Sequence, residues 1–293
     1  MRLRRCAMES TTYTLAGRSV GRMGFGAMQL PGNGVFGPPA DRDHALAVLR
    51  RAVDAGVNHI DTAQFYGPDV ANELIRAALH PYPEDLIIVS KVGARRDDTG
   101  AWLPAQKPEE LRSAVEDNLR SLGLEQVPVV NLRRHEAGDA GLDEQLDEMI
   151  AMREEGLIGG IGISSVSLDE YQQARSRTEV ACVQNVFNIA DRSGQDVFEA
   201  TRQDDVPFVP FFPLGSAFMP DKPVLSAPAV RDTAGRLGVT PAQVALAWLL
   251  ATAPNVLLIP GTSSLSHLEE NLVASQVVLD EEAMADLDLV AAS

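Results

Sequence analysis

Short apolar runs alternate with longer segments whose apolar positions recur every three or four residues along most of the chain, the pattern of strands separated by amphipathic helices. A leading hairpin is expected from Thr11 to Leu15 onward. Eight runs then read as strands: Met23 to Leu30, Val57 to Ala63, Leu86 to Val92, Val127 to Arg133, Ile158 to Ser164, Ala181 to Asn188, Val206 to Phe212 and Asn255 to Gly261. Most are apolar throughout, as strands covered on both faces of a parallel sheet should be. Helices are predicted between them, among others at Asp41 to Ala55, Pro108 to Leu122, Asp143 to Glu155 and Thr240 to Ala251. The last has Thr240 as N-cap and Pro241 at its first helical position.

Eight strand-helix units in roughly 250 residues are the size of a (β/α)8 TIM barrel, an α/β fold. A doubly wound sheet uses fewer strands and an early glycine-rich phosphate turn, and the sequence has no GxxxxGK[ST] anywhere. No composition break or flexible linker divides the chain. The expectation is therefore a single barrel domain over residues 11–293, preceded by a disordered leader over residues 1–10, with either Met1 or Met8 as the translation start. Arg2, Arg4 and Arg5 lie in that leader without an apolar stretch of signal-peptide length behind them.

Subtracting 41 acidic from 25 basic residues leaves a formal charge of -16, so the surface should repel nucleic acid and anionic membranes. A small-molecule partner is expected, with no nucleic acid and no membrane. Only Cys6 and Cys182 occur, which excludes a disulfide scaffold and a cysteine-rich zinc site and fits a cytoplasmic protein. His44 and His80 have no companion at metal-ligand spacing, so no metal is expected. His59 alternates with Val57 and Asp61 on one strand face and reads as a satisfied core histidine.

Barrel enzymes place their chemistry at the C-terminal ends of the strands. Those ends carry Asp61, Lys91, Arg133, Ser164, Gln184 and Asn188, and the eighth strand runs into Gly261, Thr262 and Ser263. Asp61 and Lys91 close neighbouring strands and can pair, with Tyr66 in the following loop above both. An ammonium beside a phenol stabilises the phenolate and makes its proton easier to donate. Spacing alone leaves a structural ion pair and an incidental tyrosine open as the alternative.

Asp61, Thr62, Ala63, Tyr66 and Gly67 match DTAxxYG, and on this segment the chain resembles the aldo-keto reductases. The resemblance extends over nearly the whole chain: GFGAMQL is similar to their first strand, SKVG to their lysine strand, GISS to their Gly-x-Ser-Asn segment, VQNVFN to their Gln-Asn strand, and IPGTSSLSHLEEN to their terminal cofactor segment. AMQLPGNGVFGPP, ARRDDTGAWLPA, VVNLR and VPFFPLG are most like the bacterial pyridoxal reductase branch. The resemblance implies metal-free carbonyl reduction with NADP(H), NAD(H) being the lesser cofactor. Tyr66 is then the acid, Asp61 and Lys91 are its modifiers, and the reaction is aldehyde to alcohol, with pyridoxal to pyridoxine as the reversible case in that branch.

The family's catalytic histidine position falls on Arg133, and His135 lies two residues on, about 6 to 7 Å farther out along a strand. A guanidinium polarises an oxygen but cannot shuttle a proton; a salt bridge to a mouth carboxylate is the structural alternative. Ser164 and Gln184 are implied to hold the nicotinamide carboxamide, Ser165 replaces the usual asparagine, and Phe211 occupies the place of a stacking tyrosine. Pro213, Leu214 and Gly215 are implied beside the cofactor. Gly261, Thr262 and Ser263, followed by a helix from Ser266, form a candidate anion site, with helix capping as the bland alternative. Glu270 and Asn271 are implied at the adenine, and His267 stands where NADP-selective relatives carry arginine. Met28, Phe36 and Trp102 are the expected apolar walls of the substrate pocket. Arg95, Arg96, Arg133 and Arg134 are placed near one side of the mouth, as a substrate funnel or as solvated charge. Two other functions fit the barrel pattern: a non-catalytic nucleotide-binding redox sensor or interaction subunit, which should have lost the Asp-Tyr-Lys set, and a phosphate-sugar isomerase, which needs a late strand-end carboxylate that is missing.

Overall fold

The computed structural model describes residues 11–135, 140–215 and 224–292; the expected leader, residues 1–10, lies outside the described residues. The chain opens on an antiparallel hairpin of β1 (Thr12–Leu15) and β2 (Arg18–Gly21). Its two turn residues, Ala16 and Gly17, have φ of 47° and 75°, the positive values that match a hairpin turn to the twist of its strands. There follow β3 (Phe25–Gly26), α1 (Arg42–Asp54), β4 (His59–Asp61), α2 (Val70–Leu79) and β5 (Ile87–Val92). A small antiparallel excursion, β6 (Ala94–Arg96) and β7 (Trp102–Pro104), precedes α3 (Pro108–Leu122), β8 (Val127–Arg133), α4 (Leu142–Glu154), β9 (Ile158–Ser164), α5 (Leu168–Arg177) and β10 (Val183–Gln184). The chain ends with α6 (Gln195–Gln203), α7 (Pro228–Leu237), α8 (Pro241–Thr252), α9 (Leu265–Val273) and α10 (Glu281–Asp288).

Strands β3, β4, β5, β8, β9 and β10 form one parallel sheet in that spatial order. Its two edges are joined by segments that keep only isolated parallel bridges: Val183 to Phe208, Phe208 to Val256, and Leu258 back to Met23. The sheet thus closes into the TIM-like barrel predicted. The seventh and eighth segments fall short of the expected strands because Pro207, Pro210 and Pro260 supply no N–H to a ladder. The first expected strand ends at Gly26, where the chain turns into a short 3-10 helix at Ala27–Gln29. Thr240 caps α8 as predicted, its side chain accepting from Gln243 N–H.

Two shells of side chains follow from strand alternation. Ile87, Val89, Val129, Ala181, Val209, Leu257 and Ile259 fill the barrel, and Leu15 and Val20 of the hairpin pack against them as a plug. Val92, Val130, Leu132, Ile161 and Ile163 point outward and pack with the Leu111, Val115, Leu146 and Met149 side chains of α3 and α4. On β9 the inward positions are Gly160 and Gly162. A Cβ on Gly162 would lie 2.1 Å from Asn131 Oδ1, so this strand is small where its neighbour's side chain is large.

His59 is a core residue, 1% exposed, with the Gly21 backbone as the one neighbour that favours its charged form. The ring fills the space over Gly24, where a Cβ would come within 2.2 Å of it. Burial pushes its pKa down from 6.5 to about 4, because a charged imidazolium is poorly solvated there. Between those values the unfolded chain binds a proton that the folded chain does not, so the stability contributed above pH 6.5 is lost as pH falls toward 4. The loss is on the order of 3 kcal/mol. Urea unfolding at successive pH values should show this slope in the native sequence and a flatter one in His59→Leu.

Candidate active site

The site is built from strand ends that a buried polar network fixes from behind. Thr62 and Ser90, the neighbours of Asp61 and Lys91 in sequence, face the helices. Thr62 Oγ1 donates to Asn72 Oδ1 at 2.9 Å, and Asn72 Nδ2 donates to Asn118 Oδ1 at 2.9 Å and to Ser121 Oγ at 3.0 Å. Ser90 Oγ donates to the same Asn118 oxygen. This ties the ends of β4 and β5 to α2 and α3, and alternation turns Asp61 and Lys91 inward.

There Lys91 Nζ donates to Asp61 Oδ1, and to the carbonyl of Thr62 at 3.0 Å. Gln184 Nε2 donates to the other carboxylate oxygen, Oδ2, at 2.6 Å. All three side chains are buried. Burial alone would lower the Lys91 pKa, but the Asp61 carboxylate and the Tyr66 phenol beside it hold it above the ordinary lysine value. The ammonium stays charged. It lies 5.1 Å from the centre of the Tyr66 ring.

Tyr66 is 4% exposed and is set by the loop that follows β4. Its N–H donates to Ala63 O at 3.1 Å, and its carbonyl accepts from Ala71 N–H at the start of α2. Phe65 meets its ring edge-on at 5.5 Å and Trp102 at 6.5 Å. Gly67, with φ of 98° and a would-be Cβ 2.5 Å from Val70, is required by the turn.

Asp61, Tyr66 and Lys91 open into a cavity of about 310 Å³ whose lining includes Met28, Trp102, Arg133, Ser164, Gln184, Phe211, Pro213, Leu214, Gly215 and Gly261. The structure thus assembles one site from residues scattered between positions 26 and 261. Phe36 is outside it: Arg96 lies 5.3 Å above its ring, and also 4.0 Å from the Trp102 ring. The expected cluster of four arginines resolves into one. Arg96 donates to the carbonyls of Gly34, Val35 and Gly100 and so clamps loops together. Arg134 binds Glu170 at 3.0 Å and Gln145 at 2.6 Å, and Arg95 is exposed. Only Arg133 lines the cavity.

A nicotinamide ring fits the polar groups on the β9 and β10 side. Gln184 spends its amide N–H on Asp61, and its Oε1 is buried without a partner among the described residues, free to accept from a carboxamide; Ser164 is its register neighbour. Phe211 is anchored by its N–H to Asn185 O at 3.1 Å, and Asn188 Nδ2 holds the next carbonyl, that of Phe212, at 3.0 Å. Ser165 sits outside the cavity lining with φ of 57°, a left-handed conformation that asparagine adopts more readily than serine. Its N–H donates to Gln184 O at 2.9 Å.

The remaining terminal residues lie apart from the cavity lining, around the start of α9. Thr262 is buried, its Oγ1 accepting from Ser264 N–H at 3.0 Å, and Ser264 caps the helix. Ser263 and His267 are exposed, Glu270 is half-buried and Asn271 is buried. Capping and an open helix end thus coexist.

Sequence reasoning did not single out Gln29 and Phe212 in the lining, or the interior pair Asn131 and Cys182, where the thiol donates to Asn131 Oδ1 at 3.4 Å. Strand alternation would have found Asn131, two residues before Arg133. Burial pushes the Cys182 thiol up to about 12, which leaves it protonated and unreactive. Among the described residues, no three His, Cys, Asp or Glu side chains are grouped to hold a metal, and no helix is long and apolar enough to cross a membrane.

A sequence model of the Aldo/keto reductase family matches residues 22–292, and the chain belongs to that family; it is an oxidoreductase. It is 50% identical over 286 residues to pyridoxine 4-dehydrogenase of Escherichia coli, covering 96% of this chain and 98% of that protein. An uncharacterized oxidoreductase of Schizosaccharomyces pombe is 38% identical over 282 residues, covering 96% and 90%. Among solved structures, an aldo/keto reductase from Klebsiella pneumoniae in complex with NADP and acetate is 27% identical with a TM-score of 0.79, covering 95% of this chain and 94% of that one.

Breaking the buried ion pair from one side strands a charge. Asp61→Asn should cost about 3 to 5 kcal/mol of unfolding free energy. The double variant Asp61→Asn/Lys91→Met, with no charge to strand, should recover much of it, as chemical denaturation will show.

Proposed function

We propose that the chain reduces pyridoxal to pyridoxine reversibly with NADPH, and that Tyr66 is the proton donor. The observation that carries the reading is the assembled set at the cavity floor: a buried, charged Lys91 held by Asp61 directly beneath the ring of Tyr66. The strong similarity to a pyridoxine 4-dehydrogenase supports the substrate, and the NADP complex of a structural relative supports the cofactor. NADPH, when bound, supplies the hydride to the carbonyl carbon.

The protein's share is binding and proton transfer. Tyr66 donates its hydroxyl proton to the carbonyl oxygen, and the Lys91 ammonium stabilises the phenolate left behind. Asp61 keeps Lys91 charged and oriented, while Arg133 polarises the same oxygen. Gln184 Oε1 and Ser164 hold the carboxamide, Phe211 stacks on the ring, and Pro213 to Gly215 edge it. Ser165 contributes its backbone conformation. Thr262, Ser263 and His267 receive the 2'-phosphate at the start of α9, with Glu270 and Asn271 at the adenine. Met28 and Trp102 form walls of the substrate end. The non-catalytic sensor has no supporting feature, since the residues it should have lost are present and in contact. A cytoplasmic location and the absence of nucleic-acid and membrane partners are part of the same reading, supported by the charge of -16.

Pyridoxal and a panel of other aldehydes, followed by NADPH and NADH absorbance, test it. Turnover of pyridoxal with NADPH preferred is expected; no aldehyde turnover despite cofactor binding would favour the sensor. Tyr66→Phe keeps the ring and removes the acid, so turnover should fall on the order of 100-fold to 10,000-fold with cofactor affinity nearly unchanged. His267→Arg should tighten NADPH binding, more so at low salt.

A further inference from the structure

Among the described residues three charged side chains line the cavity, and two of them, Asp61 and Lys91, compensate each other. Arg133 has no carboxylate partner among the described residues. Its buried Nε has no hydrogen-bond partner, and its nearest aromatic neighbour is Trp102, whose ring centre is 5.9 Å from the guanidinium carbon. Asn131 is paired in register with Lys91, so Arg133 projects from the same strand face one step of about 6 to 7 Å nearer the mouth. Trp102 packs edge-on against Tyr66 as well, which places the acid and the free cation around one aromatic wall.

A guanidinium edge presents two parallel N–H donors in a fixed fork. A lone carbonyl oxygen at Tyr66 meets one of them and leaves the other without an acceptor in a site walled by Trp102, Phe211 and Met28, where an unmet donor is unfavourable. A second oxygen on the adjacent ring carbon, in the same plane, fills the other position. We propose that the Arg133 fork binds the carbonyl oxygen together with such an ortho oxygen, so that the site selects planar aromatic aldehydes with a hydroxyl beside the aldehyde. The inference rests on the proposed function for its natural case: pyridoxal bears its aldehyde beside a ring hydroxyl that the pyridine ring acidifies. The balance of the reaction is unchanged. Hydride goes to the carbonyl carbon, the Tyr66 proton to the carbonyl oxygen, and the ortho oxygen is neither oxidised nor moved.

The test compares kcat and KM with NADPH for 2-hydroxybenzaldehyde, 3-hydroxybenzaldehyde and pyridoxal in the native sequence, Arg133→Lys and Arg133→Gln. The ortho-to-meta ratio of kcat/KM does not depend on the fraction of folded enzyme, so it stays readable in a variant that folds poorly. A ratio of 10 or more is expected in the native sequence, falling to within about twofold of unity in both variants. Arg133→Lys keeps the charge and loses the fork, and a ratio retained there would mean charge alone selects. That result, or a native ratio near unity, overturns the proposal even if pyridoxal is turned over. A native ratio of 10 that collapses in both variants upholds it even if pyridoxal is not a substrate, which would remove the pyridoxal reading alone.

Discussion

The buried ion pair between Lys91 and Asp61 is the constraint around which the site is organised. Two charges taken out of water are stabilised only if their remaining hydrogen-bonding positions are met. Here two further groups meet them: the Thr62 carbonyl, which accepts from Lys91, and the Gln184 amide, which donates to Asp61. Each of those groups is then no longer free to move. Gln184 is held with its carbonyl oxygen pointing away from Asp61, and Lys91 is held where its charge faces the Tyr66 ring. The ion pair therefore orients the ammonium at the Tyr66 ring and the Gln184 carbonyl oxygen at once.

That arrangement depends on the barrel in a specific way. Side chains alternate along each strand, so fixing the outward residues fixes the inward ones. Thr62 and Ser90 are locked to Asn72, Asn118 and Ser121 outside the sheet. The network's side chains therefore set the register of Asp61 and Lys91 from outside the sheet, and the Thr62 carbonyl bonds Lys91 directly. On the opposite side of the mouth, where prolines interrupt the ladder, polar side chains do the same work. Asn185 accepts from Val166 N–H and donates to its carbonyl, and Asn188 accepts two loop N–H groups while donating to Phe212 O.

The parts of this molecule legible in the sequence are those governed by local pattern. Val127 to Arg133 and Ile158 to Ser164 are strands over the full predicted ranges, and Pro108 to Leu122 is a helix over its own. The segments at 206–212 and 255–261 were legible as barrel staves but not as irregular ones, although the prolines that cause the irregularity are visible in the sequence. Asp61, Tyr66 and Lys91 could be grouped because strand ends in a barrel converge. Phe36 and the arginine cluster could not be placed correctly, because their positions depend on a hairpin, β6 to β7, that follows β5 and folds Arg96 onto backbone carbonyls. His59 shows the other limit: its burial followed from alternation, whereas the fit of its ring over Gly24 is a property of packing.

Electrostatics separates the pocket from the rest of the protein. A formal charge of -16 is spread over a surface where screening acts within about 8 to 10 Å at ordinary salt, so distant carboxylates contribute little inside an enclosed mouth. Within the cavity Asp61 and Lys91 nearly cancel, and among the described residues the sign of the site is set by Arg133. Because Arg95, Arg96 and Arg134 are spent on solvent, loop carbonyls and Glu170, the positive field is local to one guanidinium rather than a broad funnel. A single fixed cation attracts by geometry more than by reach. It rewards a ligand that brings oxygens to its edge and does little for one that is merely anionic elsewhere, so an acidic protein can hold an electron-rich substrate without a basic surface to collect it.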